Sequence, residues 1–327
     1  MSPAILVRGL SKTFFVRAPT SGILATIKSL FCPQIHEQKA IANISFEITR
    51  GEKIAFIGPN GAGKSTTIKI LTGILYPSDG HVEVLGLIPW QKRTALGFKI
   101  GTVFGQRSQL WYHLPASDSF ALLSKIYEIP QAVYKKRLHE LIDIFELEKL
   151  LAKPVRQLSL GERMRCELCA SLLHKPEILF LDEPTIGLDL NAKLQIRTLL
   201  NRLSLEHKTT LFLTSHDTAD IEQVSERVLI LDKGELIKDS TIYDLKKTYM
   251  RKKIVTLITE EEKISLSLPG VQSLTSPPFH CICEVDLAIQ PIEKVIQKAL
   301  EIANVKDITI EDPSMEEVIR DLYVSKN

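Results

Sequence analysis

The sequence predicts an α/β fold with a largely parallel sheet and helices on both faces, followed by a small α+β domain. Three observations support this prediction. Short apolar runs typical of buried strands alternate with segments of helical periodicity as far as about residue 245. One of these runs leads directly into a glycine-rich turn and then a helix. Near residues 246–253 the pattern changes to strands interleaved with amphipathic helices.

The predicted elements follow in chain order. The first strands cover 4–8, 40–48 and 54–58, and the helix after the glycine-rich turn covers 66–75. Residues 81–106 are β-rich, and about 107–175 are mostly helical, which marks a helical subdomain. Three further strands are predicted at 177–184, 210–216 and 227–234. The last segment has strands at 254–259, 263–267, 280–287 and 305–310 and helices at 292–303 and 314–324. We therefore predict a first domain over 1–247 and a second over 248–327.

Composition limits the classes of function. The 327 residues include 41 basic and 39 acidic side chains, and this balance argues against a dedicated nucleic-acid binder. No stretch reaches the roughly 18 apolar residues of a membrane-spanning helix, and the first residues lack a signal-peptide pattern. A cytoplasmic protein is the expectation. The five cysteines, Cys32, Cys166, Cys169, Cys281 and Cys283, are predicted to be small buried thiols rather than a metal site.

The glycine-rich turn has the composition of a phosphate-binding loop. Its sequence GPNGAGKS matches G-x-x-x-x-G-K-[ST] between a predicted strand and a predicted helix. Its glycines let backbone N–H groups face the phosphates, Lys64 supplies a cation, and Ser65 can ligate Mg²⁺. The candidate nucleotide-binding residues here are Gly58, Pro59, Asn60, Gly61, Ala62, Gly63, Lys64, Ser65 and Thr66.

Two acids end the predicted strand ILFLDE at residues 178–183. Asp182 lies at the carboxyl end of the strand, the edge of such a sheet where ligands bind, and suits the Mg²⁺ shell. Glu183 is placed to accept a proton from an attacking water. The alternative is that the pair caps the next helix.

The stretch LSLGE at residues 158–162 has two interpretations. Ser159 and Glu162 have the spacing of a capping box that begins a helix. The start of a helix is also an anion site, because its N–H groups point outward.

The ordered set of motifs from about residue 4 to 245 resembles the ATP-binding cassette (ABC) ATPases that drive ABC transporters. GPNGAGKST is similar to the Walker A motif, ILFLDE to Walker B with the catalytic glutamate, and LSLGE to the signature usually written LSGGQ. The resemblance also matches the following residues to family positions: Asp189 to the D-loop aspartate, His216 to the switch histidine, Gln106 to the Q-loop glutamine with Gln109 as the alternative, and Phe14 to the aromatic residue that stacks on adenine with Phe15 as the alternative.

The resemblance implies a P-loop NTPase fold and a catalytic set of Lys64, Gln106, Glu183 and His216. Bound Mg²⁺ would be held by Ser65, Gln106 and Asp182, with ATP as the nucleotide. It also implies a head-to-tail dimer in which Ser159 and Gly161 of one copy touch the ATP of the other. Two positions depart from the family: Leu160 replaces the first signature glycine, and Glu162 replaces the glutamine. The negative charge of Glu162 near a phosphate is unfavourable unless Arg163 or Arg165 offsets it.

The small C-terminal domain resembles that of bacterial exporter ATPases for drugs, polysaccharides and lipids. The expected partners are a separately encoded membrane permease and a second ATP-binding subunit, with no nucleic acid. The expected location is the cytoplasmic face of the inner membrane. An ABC ATPase acting on ribosomes or nucleic acid, a non-catalytic ATP-binding module and an importer subunit are the alternatives. A predicted helix with Ile23, Leu24, Ile27, Leu30 and Phe31 is either a packed surface helix or a contact with a membrane-embedded partner.

Overall fold

The computed structural model describes residues 2–17, 35–105, 108–249, 252–274, 276–312 and 315–324. The helix predicted around Ile23–Phe31, Cys32 and Gln106 lie outside these ranges. The chain divides into two compact units, Met1–Asp239 and Ser240–Asn327. The domain assignment of 1–247 and 248–327 stays a prediction. No helix among the described residues is long and apolar enough to cross a membrane.

A six-stranded sheet forms the centre of the first unit, in the order β5-β6-β7-β3-β8-β9. Its pairs β5–β6, β6–β7, β7–β3 and β3–β8 are all parallel. The strands are β3 (Lys53–Ile57), β5 (Ile100–Phe104), β6 (Ile178–Asp182), β7 (Thr210–Thr214), β8 (Arg227–Asp232) and β9 (Glu235–Thr241). A second, antiparallel sheet has the order β2-β1-β4, with β1 (Ile5–Arg17), β2 (Ile35–Ile48) and β4 (Asp79–Val84).

The first unit contains seven helices among its described residues, and one of them lies within 81–106, the stretch that the sequence predicted to be β-rich. They are α1 (Lys64–Leu71), α2 (Arg93–Gly97), α3 (Ala116–Ile126), α4 (Gln131–Phe145), α5 (Leu160–Leu172), α6 (Leu190–His207) and α7 (Thr218–Val224). A 3₁₀ turn spans Val155–Gln157. The helical region predicted over about 107–175 thus contains α3, α4 and α5.

Strand β6 shows why the central sheet is apolar on both faces. Leu179 and Leu181 belong to a core that includes residues of α3 to α7. Ile178 and Phe180 point into a second core, which is shared with α1 and the antiparallel sheet. One face is therefore covered by helices, whereas the other is covered by α1 together with a sheet. Cys166 and Cys169 are buried free thiols in the first of these cores.

The second unit is an α+β fold around a four-stranded sheet in the order β11-β12-β10-β13. Its elements are α8 (Ile242–Tyr249), β10 (Lys252–Thr259), β11 (Val271–Ser273), β12 (His280–Asp286), α9 (Ile292–Ile302), β13 (Val305–Glu311) and α10 (Met315–Val324). Cys281 and Cys283 are buried in its core. The strand predicted at 263–267 is wrong, because these residues form no strand and β11 pairs with β12 instead. The side chains of Ile264 and Leu266 still pack on the core.

Candidate functional site

The phosphate loop joins β3 to α1, and two of its glycines are required by close contacts. A Cβ on Gly58 would lie 2.6 Å from the carbonyl oxygen of Leu231. Gly63 has φ +106°, and a Cβ there would lie 2.5 Å from the carbonyl oxygen of Ala40. Because any side chain at either position would displace backbone, the glycines hold the loop close to its neighbouring strands.

The other loop residues surround this turn. Pro59, Asn60, Gly61 and Ser65 are exposed, Ala62 is buried, and Thr66 is half-buried. A cleft of about 400 Å³ opens beside the loop. Its lining includes Asn60, Ser65, Gly105, Asp182 and Glu183. The predicted Walker A and Walker B residues therefore share one cleft.

Lys64 is buried, and its ammonium group curls back over the loop. Its Nζ donates to the carbonyl oxygens of Gly58 at 2.6 Å and Pro59 at 3.2 Å. Burial lowers the pKa of Lys64, while the charges of Glu183 and Asp182 act in the opposite direction. The cation thus lies between the loop and the two acids.

Asp182 ends β6 at the carboxyl edge of the sheet, as predicted. Its Oδ1 accepts a hydrogen bond from Thr214 Oγ1 at 2.7 Å and lies 3.4 Å from the hydroxyl of Ser65. Thr214 ends β7 and is directly opposite Asp182 in the parallel register. We did not predict Thr214, since an isolated threonine at the end of a strand carries no sequence signal. The hydroxyl and carboxylate oxygens of Ser65 and Asp182 are the donor type that Mg²⁺ prefers, so these residues fit the ion.

Glu183 and His216 form a pair at the same edge. Glu183 Oε1 lies 2.7 Å from His216 Nε2. A carboxylate oxygen only accepts, so Nε2 carries a proton in this contact. Lys64 Nζ, 3.4 Å from the same nitrogen, is then a neighbouring charge rather than a donor to it.

The backbone of Glu183 is held in an uncommon conformation. Its φ is +54°, in the left-handed region. Its N–H donates to the carbonyl oxygen of Thr214 at 3.0 Å and to Thr214 Oγ1 at 3.1 Å. Strand β7 therefore fixes the turn that presents the Glu183 carboxylate.

The capping box predicted at the start of α5 is present. Ser159 Oγ accepts from the N–H of Glu162, and the Glu162 carboxylate accepts from the N–H of Ser159 at 2.8 Å. The cation that pairs with Glu162 is Lys153 rather than Arg163 or Arg165. Lys153 pairs with Glu162 at 3.5 Å, whereas Arg165 pairs with Glu146.

Gly161 and Asp189 both lie beside Ala192 of α6. A Cβ on Gly161 would lie 2.9 Å from the Cβ of Ala192, so the glycine allows close packing of the two helices. Asp189 precedes α6, and its carboxylate accepts from the N–H of Ala192 at 2.9 Å. Both residues have a role within this chain, beside the phosphate contacts that the resemblance implies.

The segment after Gln106 is held by a buried glutamate that we did not predict. Glu167 of α5 accepts from the hydroxyl of Ser108 and from the N–H of Gln109 at 3.2 Å. The side-chain amide of Gln109 donates to the Glu167 carbonyl oxygen at 2.9 Å. Burial raises the pKa of Glu167. The amide of Gln109 is thereby engaged with α5.

Phe14 lies on β1 and is half-buried, whereas Phe15 is 69% exposed. The ammonium group of Lys12 lies 5.1 Å from the centre of the Phe14 ring. One face of that ring is therefore in a cation–π contact. The assignment of Phe14 as the adenine-stacking residue stays a prediction.

Comparisons with known proteins identify the family. The family model described as ABC transporter matches residues 41–186. The daunorubicin resistance ATP-binding protein DrrA3 of Streptomyces coeruleorubidus is 30% identical over 292 residues, which cover 86% of this chain and 90% of that protein. The chain belongs to the ABC transporter family of ATP-binding proteins. This family hydrolyses ATP, so the chain is an ATPase.

Another relative and a solved structure agree with this assignment. The bacitracin transport ATP-binding protein BcrA of Bacillus licheniformis is 32% identical over 210 residues, covering 64% of this ABC protein and 67% of BcrA. The dimeric, post-hydrolysis structure of the ATP-binding cassette MJ0796 bound to ADP and Pi has a TM-score of 0.60. It is 26% identical, and the match covers 73% of this chain and 98% of that cassette. The P-loop NTPase fold predicted from the sequence is confirmed.

Proposed function

We propose that the chain hydrolyses ATP to power export through a separate membrane permease at the cytoplasmic face of the membrane. The observation that carries this proposal is that Asp182 and Glu183 line one cleft beside the phosphate loop, where His216 Nε2 lies 2.7 Å from Glu183 and 3.4 Å from Lys64 Nζ. DrrA3 is named for drug resistance and BcrA for bacitracin transport, which supports export of a compound as the purpose of hydrolysis.

The loop and Lys64 bind the phosphates. Three N–H donors of the ammonium group are available, and those that contact Gly58 and Pro59 can turn toward β- and γ-phosphate oxygens. Ser65 and Asp182 would hold Mg²⁺, together with Gln106 as the family resemblance implies. When bound, this ion supplies positive charge beside the phosphate oxygens.

Glu183 and His216 act as the proton acceptor and the hydrogen-bond donor of the site, respectively. His216 Nε2 lies 2.7 Å from Glu183 Oε1, and its proton can be donated instead to a γ-phosphate oxygen. The Glu183 carboxylate is then free to accept a proton from the attacking water. The fixed backbone of Glu183 limits the positions from which it can do so.

The signature helix of a second copy would contact the same phosphate. Ser159 Oγ accepts from the N–H of Glu162, so its own hydroxyl proton remains available to donate to a phosphate oxygen. Capping and phosphate binding are therefore compatible. The negative charge of Glu162, even beside Lys153, opposes the approach of the phosphate.

The permease would dock beside the segment that follows Gln106. Trp111, Tyr112 and Leu114 are 37%, 55% and 41% exposed, although Leu110 next to them is buried. Exposed aromatic and leucine side chains are suited to anchoring a partner. These residues extend from the part of the chain that Glu167 holds against α5.

A pull-down from detergent-solubilised membranes of the native host tests the transport function. We expect a multi-spanning membrane protein in comparable amount, and we expect Tyr112→Ala to reduce its recovery. Tyr243→Ala is the matched control, because Tyr243 is 70% exposed but lies in the second unit. Recovery of ribosomes or nucleic acid, or of no membrane protein, would contradict the proposal.

A further inference from the structure

Asp220 on α7 is a buried carboxylate outside the motifs described above. It is 1% exposed. It accepts hydrogen bonds from Arg197 Nε at 2.5 Å, from Ser215 Oγ at 2.7 Å and from the hydroxyl of Thr185. Three separate segments of the chain therefore meet on one side chain.

Each of these three donors lies on a segment that also contains, or directly follows, a predicted site residue. Thr185 follows Glu183 by two residues, and Ser215 directly precedes His216. Arg197 lies on α6, the helix that begins after Asp189. The carboxylate of Asp220 thus connects the segments that carry the two ends of the 2.7 Å contact between Glu183 and His216.

The residue after His216 is held by the same cluster. Asp217 pairs with Lys193 at 2.7 Å and with Arg197 at 3.0 Å, and its N–H donates to Ser215 Oγ at 3.0 Å. Burial alone would raise the pKa of Asp217, but the hydrogen bond from Lys193 and the charges of Arg197 and Lys193 lower it. Both neighbours of His216 are consequently fixed, and α6 supplies the cations that fix them.

Energetics argue that this cluster has a purpose beyond stability. Arg197 is 4% exposed, so the Arg197–Asp220 pair lies almost entirely out of water. Buried ion pairs are often no more stabilising than apolar side chains of similar volume, because desolvation offsets the attraction. What this pair provides is geometry, since three donors of fixed direction hold one carboxylate.

The geometry points to Asp220 as a positioning residue for ATP hydrolysis. It holds Thr185 and Ser215 so that Glu183 and His216 keep their 2.7 Å contact. Through Arg197 it also links these segments to α6, the helix that follows Asp189. The inference rests on the proposed roles of Glu183 and His216. A change at Asp220 should therefore lower kcat and leave the binding of ATP intact.

The test compares Thr185→Val, Ser215→Ala and Asp220→Asn with the control Gln223→Ala, an exposed side chain on the same helix. ATP turnover and the Kd for ATP are measured for each. Because misplacement by about 1 Å can cost about 100-fold in rate, we expect kcat to fall about 10- to 100-fold in the first three variants. The Kd for ATP and the behaviour of Gln223→Ala should stay as in the wild type.

A second measurement separates positioning from a structural role. In single-turnover assays, Asp220→Asn should slow hydrolysis much less in a Glu183→Gln background than in the wild type, because one of the two positioned groups is already gone. Unchanged kcat with a lower melting temperature, or weaker ATP binding in proportion to lost turnover, would overturn the inference. If Asp220→Asn does not fold, Thr185→Val and Ser215→Ala decide, since both keep the Arg197–Asp220 pair. A wild-type chain that binds but does not hydrolyse ATP would instead refute the proposed function.

Discussion

Replacing Thr214 by valine removes one hydroxyl that contacts both Asp182 and Glu183 without changing the shape of the side chain. Thr214 is completely buried. Its hydroxyl donates to Asp182 at 2.7 Å and accepts from the N–H of Glu183 at 3.1 Å. The substitution therefore tests whether β7 orients both acids of the site.

The expected loss of stability follows from the hydrogen bonds that Glu183 and Asp182 keep in the variant. The N–H of Glu183 keeps the carbonyl oxygen of Thr214 at 3.0 Å, so its loss is small. Asp182 loses a hydrogen bond to a charged group, which is worth about 1.5–3 kcal/mol. A loss of about 2 kcal/mol corresponds to a melting temperature about 4–8 °C lower for a domain of this size. Removing the hydrogen-bond partner of a metal ligand typically lowers metal affinity about 10- to 100-fold. The Mg²⁺ concentration for half-maximal hydrolysis should therefore rise by that factor.

The assays are thermal unfolding without nucleotide and ATP hydrolysis over a Mg²⁺ titration. Thr214→Ser is the matched control, because it keeps the hydroxyl and removes only a methyl group. It should restore the Mg²⁺ dependence while remaining somewhat less stable than the wild type. A valine variant with unchanged melting temperature and unchanged Mg²⁺ dependence would refute the assigned role of Thr214.

Three further substitutions probe the loop, the signature and the segment after Gln106. Gly63→Ala should lower ATP affinity and stability, since the left-handed conformation alone costs about 1–2 kcal/mol and the new Cβ meets Ala40. Glu162→Gln should tighten ATP-driven dimerisation, measured by size exclusion in a Glu183→Gln background. It should also destabilise the monomer by about 0.3–1 kcal/mol at pH 7. The hydrogen bond from Ser159 lowers the pKa of Glu162 below its ordinary value of 4.5, so this difference is complete above pH 4.5 and disappears as the pH falls through the lowered pKa. Glu167→Leu should lower melting temperature and turnover, because Ser108 and the N–H of Gln109 lose their acceptor, at a cost of about 1–3 kcal/mol. 

Each of these substitutions has a comparison within the chain. Gly61→Ala also places alanine at positive φ, but in open space, and should cost less than Gly63→Ala. Equal losses would contradict the contact with Ala40. For Glu162→Gln, a stability difference that persists below the lowered pKa would contradict the charge argument. Glu167→Gln keeps an acceptor and should be milder than Glu167→Leu.

The sequence predicts the parts of the site in which the chemistry is contiguous. The phosphate loop needs its residue types at adjacent positions, and the acids follow directly from the end of one strand, so Lys64, Asp182 and Glu183 could be recognised without a structure. The capping box of Ser159 and Glu162 is equally local.

Residues that act across the sheet could not be predicted in this way. Thr214 matters because β6 and β7 pair in a register that places it opposite Asp182. No local sequence pattern indicates that β3 lies between β7 and β8 in the sheet. Asp220 and Glu167 could not be predicted for the same reason. Arg197 is 23 residues from Asp220 in sequence, and Ser108 is 59 residues from Glu167. The strand predicted at 263–267 is wrong although its apolar residues match a strand, because Ile264 and Leu266 pack on the core without forming one.

The most direct test of the account is steady-state phosphate release from the purified chain, with and without Glu183→Gln. The Mg²⁺ and ATP concentrations are kept saturating, and ATP binding is measured in parallel. We expect the wild type to release phosphate, and we expect the variant to bind ATP as well as the wild type while its turnover is nearly abolished. Undiminished phosphate release by Glu183→Gln would contradict the assignment of Glu183 as the group that activates water.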